Sequence, residues 1–281
     1  MTELDKSIGF IGAGNMAEAI AGALIKSKSI EKSMISACDI NIDRLGYMST
    51  TYGINGTSDI DEVYNSADVI ILAVKPQSME SVLKIIATCK KADDKRKLII
   101  SIAAGVTIKT FESFLYADAD EAACSNIPII RVMPNTPSLV LSGMSGICKN
   151  KHANSDDIQT AKTILSSMGK VIEVTESKMD AVTAISGSGP AYFFYFVESM
   201  VEEAENLGLT REEAITLTVT TMKGAADLLE SSDDSPSVLR KKVTSPGGTT
   251  EAAIKVFDEA KTKEIIQKAV SAAAKRSREL S

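Results

Sequence analysis

Ser7 to Ile25, SIGFIGAGNMAEAIAGALI, decides the fold of this chain. Ile8, Phe10 and Ile11 form the short apolar run of a buried strand. Gly12, Gly14 and Ala17 then occupy the three small-residue positions of the G-x-G-x-x-G/A fingerprint. Gly12 permits a tight turn, Gly14 lets a pyrophosphate approach the backbone, and Ala17 lets the helix pack closely on the strand. The N–H groups that open the helix have no intrahelical acceptor, and the helix dipole adds positive potential there. Strand, glycine turn and helix in that order predict a dinucleotide-binding βα unit.

Working outward, Met34 to Asp39 reads as a second strand, and Asp39 stands where an acid for a ribose hydroxyl is expected. Further strands are predicted over 68–74, 98–102, 127–132, 144–149 and 170–175. Helices are predicted between them over 41–52, 59–65 (Ser58 as N-cap), 77–89, 107–115 (Thr107 as N-cap) and 155–168. Strands alternating with helices predict a doubly wound, mostly parallel sheet whose ligands bind beyond the C-terminal strand ends. Those ends are 12–14, Asp39, 74–76, 103–105 and the shaped loop Met133-Pro134-Asn135-Thr136. After about residue 175 only helical patterns remain, over 176–185, 190–207, 211–230, 236–243, 249–259 and 261–279. The fold class is therefore an α/β N-terminal Rossmann domain, 1–174, followed by an all-α C-terminal domain, 175–281.

Net charge is −6 and the basic clusters are short (Lys90-Lys91, Arg240-Lys241-Lys242, Lys275-Arg276), which argues against nucleic acid as a partner. No apolar run approaches the ~20 residues of a membrane span, and MTELDK lacks the features of a signal peptide. The expected location is cytoplasmic. Cys38, Cys89, Cys124 and Cys148 lie far apart without a C-x-x-C, as reduced thiols do, and no metal site is expected. His152, the single histidine, sits in the polar stretch KNKHANSDD and is expected at the surface.

Two features of the helical half carry more information. The helix from Pro190, placed at N1, has an apolar stripe through Phe193, Phe196, Val197, Met200, Val201, Ala204 and Leu207, and its first turns add Ala191, Tyr192, Phe194 and Tyr195. A helix apolar on all sides needs cover on all sides, from a subunit interface or from the middle of one monomer; the small helical half favours the interface. Farther on, Val243-Thr244-Ser245-Pro246-Gly247-Gly248-Thr249-Thr250 opens another helix. Its N–H groups and three hydroxyls suit a small carboxylate with one polar atom beside it, though an ordinary capped turn has the same pattern.

On these residues the chain resembles the Δ1-pyrroline-5-carboxylate reductases. The matching stretches are GFIGAGNMAEAI (9–20), ADVIILAVKPQ (67–77), ISIAAGVT (100–107), RVMPNTP (131–137), GSGPAYFFYFVE (187–198) and SPGGTTEAAI (245–254). The resemblance implies reduction of the C=N bond of 1-pyrroline-5-carboxylate to L-proline with NADPH or NADH, the last step of proline biosynthesis. It also implies a helical domain that interlocks two subunits, with dimers that commonly assemble to decamers. Ile11, Gly12, Ala13, Gly14, Asn15, Met16 and Ala17 would line the pyrophosphate, and Ala73, Val74, Lys75, Pro76, Ala103, Ala104 and Gly105 would border the adenosine and nicotinamide. Ser245, Gly247, Gly248 and Thr249 would hold the substrate carboxylate, and the Thr250 hydroxyl would reach the ring nitrogen as the catalytic group. With no histidine or evident acid near that motif, catalysis is expected to rest on positioning and on Thr250.

Asp39 departs from the family pattern, where Ser or Asn is common; its charge disfavours a 2′-phosphate, and Arg44 is the nearest offsetting cation. Ile60 stands where many relatives have Asn. Both cofactors are expected to work. Two rivals differ in what they require. A β-hydroxyacid dehydrogenase would carry a catalytic Lys on the helix after a glycine-rich turn, and Gly187 to Asn206 contains none. A non-catalytic NAD(P)-binding regulator would not need the turn at 245–250.

Overall fold

The computed structural model describes residues 4–89, 95–117 and 119–280; the Lys90-Lys91 pair lies outside them. The chain divides into two compact units, one running to Gly187 and regaining the residues from Ala274, the other Ser188–Ala273.

The first unit is built on eight strands: β1 (Ile8–Ile11), β2 (Ile35–Cys38), β3 (Asn55–Thr57), β4 (Val69–Leu72), β5 (Leu98–Ser101), β6 (Ile129–Met133), β7 (Gly143–Lys149) and β8 (Gly169–Glu173). Their order in the sheet is β3-β2-β1-β4-β5-β6-β7-β8. Every pairing is parallel except β6 with β7. The helices of this unit are α1 (Asn15–Lys26), α2 (Ile42–Tyr52), α3 (Ile60–Ser66), α4 (Pro76–Cys89), α5 (Ile108–Leu115), α6 (Glu121–Ser125), α7 (Ser155–Ser166) and α8 (Met179–Val182). β1, β4 and β5 are buried along their whole length, as parallel strands covered on both faces must be. One apolar core gathers Ile20, Leu24, Ile71 and Ile164, the other Val63, Ile70, Leu83 and Phe111. Strand order reverses between β1 and β4, which is where such sheets bind ligands. Register sets Ile11 beside both Cys38 and Leu72, and Leu72 beside Ser101, so the C-terminal ends of β2, β1, β4 and β5 finish level.

Several local expectations need correcting. β3, residues NGT, and the five-residue α6 had no apolar period to announce them. Asp59, not Ser58, caps α3 by accepting from the Asp61 N–H. The helix expected over 176–185 is three pieces: a 3₁₀ turn Glu176–Lys178, α8, and a π-turn Thr183–Gly187. His152 is not a surface residue; its side chain is 5 % exposed and meets Tyr116 edge-to-face at 5.3 Å. The Asn150 side chain accepts from the His152 and Ala153 N–H groups and donates to the Tyr116 hydroxyl, folding the polar loop inward. All four cysteines are buried, and none is in a disulfide.

The second unit comprises α9 (Gly189–Asn206), α10 (Arg211–Ser231), α11 (Pro236–Lys242), α12 (Thr249–Glu259) and the larger part of α13 (Thr262–Leu280). Pro190 falls at the second residue of α9 rather than the first. α9 buries only Gly189 and Val201, α10 only Ala214 and Thr218, and α12 buries none of its residues. Phe193, Phe194, Tyr195, Phe196 and Met200 are exposed along α9, Tyr195 at 72 %. Among the described residues no helix is long and apolar enough to cross a membrane.

Candidate functional site

Gly12 has φ +100°, and a Cβ there would lie 2.8 Å from the Ala73 carbonyl. Only glycine fits where β1 leaves the sheet against the end of β4. Neighbouring strand ends hold this turn: Gly12 donates its N–H to the Cys38 carbonyl at 2.8 Å, and the Ala73 N–H donates to Ile11 at 2.8 Å. Gly14 differs. A Cβ there would meet nothing within 4 Å, so its missing side chain leaves open space at the N-terminus of α1. No side chain caps that helix, and the first bond of its ladder is Glu18 N–H to Gly14 at 3.0 Å. The N–H groups of Asn15, Met16 and Ala17 therefore open toward the space above Gly14. Ala17 is fully buried against the sheet. This cradle fits a dinucleotide pyrophosphate.

Asp39 emerges from β2 beside the cradle. One of its oxygens accepts the Ala13 N–H at 2.7 Å, the other the Asn41 N–H at 2.9 Å. Arg44 donates from Nε to the Ala13 carbonyl at 2.9 Å and from Nη2 to Glu18 at 2.6 Å. Its guanidinium lies 5.1 Å from the Tyr47 ring centroid. Burial would raise the Glu18 carboxyl, but hydrogen bonds from Arg44, Tyr52 and Tyr47 outweigh it and hold the group below its ordinary value. Burial and the Glu18 carboxylate together push the Tyr52 phenol up to about 12.

The other strand ends complete this rim. Ala73 and Val74 are half-buried after β4, and Lys75 and Pro76 are exposed where α4 begins. Ala103 is buried after β5, Ala104 is exposed, and Gly105 turns with φ +77°. A Cβ on Gly105 would come 3.0 Å from the Leu280 carbonyl, at the end of the returning segment. Ser277 fastens that segment by donating to Asp180 at 2.7 Å. Parallel pairing thus gathers 11–17, Asp39, 73–76 and 103–105 along one edge of the sheet.

Ser245 to Thr250 lie in the second unit. Gly247 turns with φ +73°, and the Gly248 N–H donates to the Ser245 carbonyl at 3.0 Å. Gly248 is the N-cap of α12, whose first residues are Thr249 and Thr250. A Cβ on Gly248 would lie 2.6 Å from Ser245 Oγ, so the turn needs glycine to keep that hydroxyl in place. An acid does stand here, contrary to the sequence expectation: Glu251 Oε2 accepts the Gly247 N–H at 2.8 Å. Its signal was present, since a Glu four residues after a glycine at a helix start can reach back to the turn. The N–H groups of Gly247 and Gly248 are thus engaged within the turn, while those of Thr249 and Thr250 open the helix.

Another side chain that the sequence did not single out is Asn135. Its Oδ1 accepts the Met144 N–H at 2.9 Å, and its Nδ2 donates to the Ser186 carbonyl at 3.1 Å, tying the loop after β6 to the π-turn Thr183–Gly187.

The fold and its cradle define a Rossmann-type dinucleotide-binding protein with a helical second half. Comparison with known proteins narrows this. A family model for pyrroline-5-carboxylate reductase dimerisation matches residues 176–280, and one for NADP oxidoreductases, coenzyme F420-dependent, matches 7–105. The chain is 39 % identical to the pyrroline-5-carboxylate reductase of Pseudomonas aeruginosa, over 97 % of this chain and 96 % of that one. Among solved structures it is similar to a pyrroline-5-carboxylate reductase from Coxiella burnetii, with TM-score 0.89, 38 % identity and 99 % of each chain covered. It is also similar to the Plasmodium falciparum pyrroline carboxylate reductase solved with NADP bound, with TM-score 0.85, 32 % identity and 99 % of each chain covered. The chain belongs to the pyrroline-5-carboxylate reductase family.

Proposed function

We propose that this protein reduces the C=N bond of 1-pyrroline-5-carboxylate to L-proline, the last step of proline biosynthesis, using NADPH or NADH. The observation that carries the reading is a full-length family match that includes both glycine turns, the cradle at 12–17 and the turn at 245–250. The reduced nicotinamide supplies the hydride. The protein's own part is to bind, orient and polarise. Asn15, Met16 and Ala17 N–H groups hold the pyrophosphate at the start of α1, and 73–76 and 103–105 border the rest of the cofactor. Ser245 and the helix-opening N–H of Thr249 hold the substrate carboxylate, with Gly247 and Gly248 shaping the turn. The Thr250 hydroxyl hydrogen-bonds the ring nitrogen, which favours the protonated, more electrophilic imine. Glu251 braces this turn through the Gly247 N–H.

The exposed aromatic face of α9 supports a homodimer through the C-terminal helices, and we extend this to a higher oligomer such as a decamer. We place the dimerisation domain at 175–281, because strands cease after β8 and the dimerisation match begins at 176. A cytoplasmic location accords with four cysteines that form no disulfide. The β-hydroxyacid dehydrogenase reading is disfavoured because α9 carries no lysine.

Nicotinamide absorbance with pyrroline-5-carboxylate as acceptor tests this reading. Thr250→Ala should lower kcat about 100-fold and leave cofactor affinity within about threefold. Unchanged turnover in that variant removes Thr250 from the mechanism. Failure of the folded wild-type protein to oxidise either cofactor with this imine removes the activity.

A further inference from the structure

We propose that this protein discriminates against the 2′-phosphate and takes NADH in preference to NADPH, with Asp39 as the specificity-determining residue and Arg44 withheld from the cofactor. The inference rests on reading Gly12 to Ala17 as the cofactor cradle.

β1 and β2 end side by side, with Ile11 beside Cys38, so Asp39 leaves its strand next to Gly12. Hydrogen bonds from the Ala13 and Asn41 N–H groups fix both carboxylate oxygens. Each oxygen keeps a further lone pair, which suits a ribose diol donating two O–H groups. The carboxylate cannot rotate away without releasing the cradle backbone, so an incoming phosphate meets a fixed negative charge.

The next strand adds to the acidity. Thr57 on β3 pairs with Cys38, and Asp59 follows two residues later as the cap of α3. Both carboxylates are close enough to Cys38 to help raise its thiol, after burial as the main cause, to about 11.

An arginine in this position would ordinarily receive a 2′-phosphate. Here Arg44 is bonded to the Ala13 carbonyl and to Glu18, whose other oxygen is held by Tyr47 and Tyr52. Turning Arg44 toward a phosphate would break both bonds and strand the Glu18 carboxylate among two phenols. Ile40, 98 % exposed, and Ile42 offer an apolar surface beside Asp39 for a flat base. Beside Asp39 the rim therefore provides an acceptor for hydroxyls and apolar cover, and Arg44, the cation nearest that carboxylate along α2, is already committed to Ala13 and Glu18 rather than to a group carrying close to two negative charges.

Calorimetric titration with NAD+ and NADP+, and with ADP-ribose and its 2′-phosphate, reads the preference with no imine present. The unphosphorylated ligand of each pair should bind at least about tenfold tighter. Equal affinities, or tighter NADP+ binding, overturn the proposal. Asp39→Asn keeps an acceptor for the Ala13 N–H and should move the ratio at least about fivefold toward NADP+; a folded variant with an unmoved ratio also overturns it. Arg44→Ala should leave the ratio within about twofold, whereas selective loss of NADP+ binding means that Arg44 does reach the phosphate. A protein that binds NAD+ tenfold tighter yet oxidises neither reduced cofactor with pyrroline-5-carboxylate refutes the reductase activity and upholds the preference.

Discussion

The two units of this chain solve the problem of burial in opposite ways. In the first, β1, β4 and β5 are buried throughout, and helices close a core on each face of the sheet. In the second, long helices present Phe193, Phe194, Tyr195 and Phe196 to the outside of the single chain, and α12 buries nothing. A parallel sheet with crossover helices satisfies its own apolar faces. Helices as apolar on the outside as α9 are expected to reach that condition in an assembly. The contrast teaches that the first unit covers its own apolar faces, whereas the second leaves apolar helix faces uncovered within the single chain.

The largest expected effect breaks that contrast directly. Tyr195→Asp puts a charge on the exposed face of α9 and should weaken association at least about 100-fold. Sedimentation analysis reads this; a variant that stays fully dimeric, with an unchanged melting temperature, shows that α9 is not the covered face. The next effect sharpens the contrast within the first unit. Gly12→Ala forces a side chain into a positive-φ turn and against the Ala73 backbone, at a cost of about 3 kcal/mol of stability. Gly14→Ala meets no neighbour, so the melting temperature should stay within about 2 °C while cofactor affinity falls about tenfold. Thermal unfolding and calorimetry on the pair separate a glycine that serves the fold from one that serves the ligand.

A smaller effect tests self-sufficiency through one ion pair. Asp157 is 1 % exposed, closes the capping box of α7 and pairs with Arg96 at 2.6 Å. Burial would raise its carboxyl; hydrogen bonds from Arg96 and the Asn154 N–H outweigh that and hold it below the ordinary value. A depressed carboxyl contributes stability that is complete above its unfolded value near 4 and is lost as pH falls through the folded value. Asp157→Asn should therefore cost about 2 kcal/mol at pH 7, with a penalty that shrinks below about pH 4. Urea unfolding at both pH values checks it; a penalty independent of pH means that the lost charge is not its origin.

Reading from sequence succeeded where information is local. The order of strands and helices, the Gly12–Gly14–Ala17 turn and Thr107 as the cap of α5 all follow from period and residue type at short range. It failed at β3, whose three residues carry no apolar period and form a strand only because β2 offers a free edge. It also failed at His152, whose polar neighbours suggested exposure while Asn150 and Tyr116 drew it inward. The apolar period changes near residue 175, while the compact units part at Gly187, because α8 and the π-turn pack with the sheet unit.

The sequence by itself determined that a strand, a glycine turn and a helix come first, that an acid follows the second strand, and that a glycine turn with three hydroxyls lies far downstream. Those are properties of residues near one another along the chain, where spacing and side-chain chemistry suffice. Only the tertiary structure decided the state of Arg44. Whether that cation is free depends on Glu18, Tyr47, Tyr52 and the Ala13 carbonyl meeting at the edge of one sheet. A hydrogen bond commits a charge through distance and direction, and neither is written in the spacing of residues that lie on separate elements.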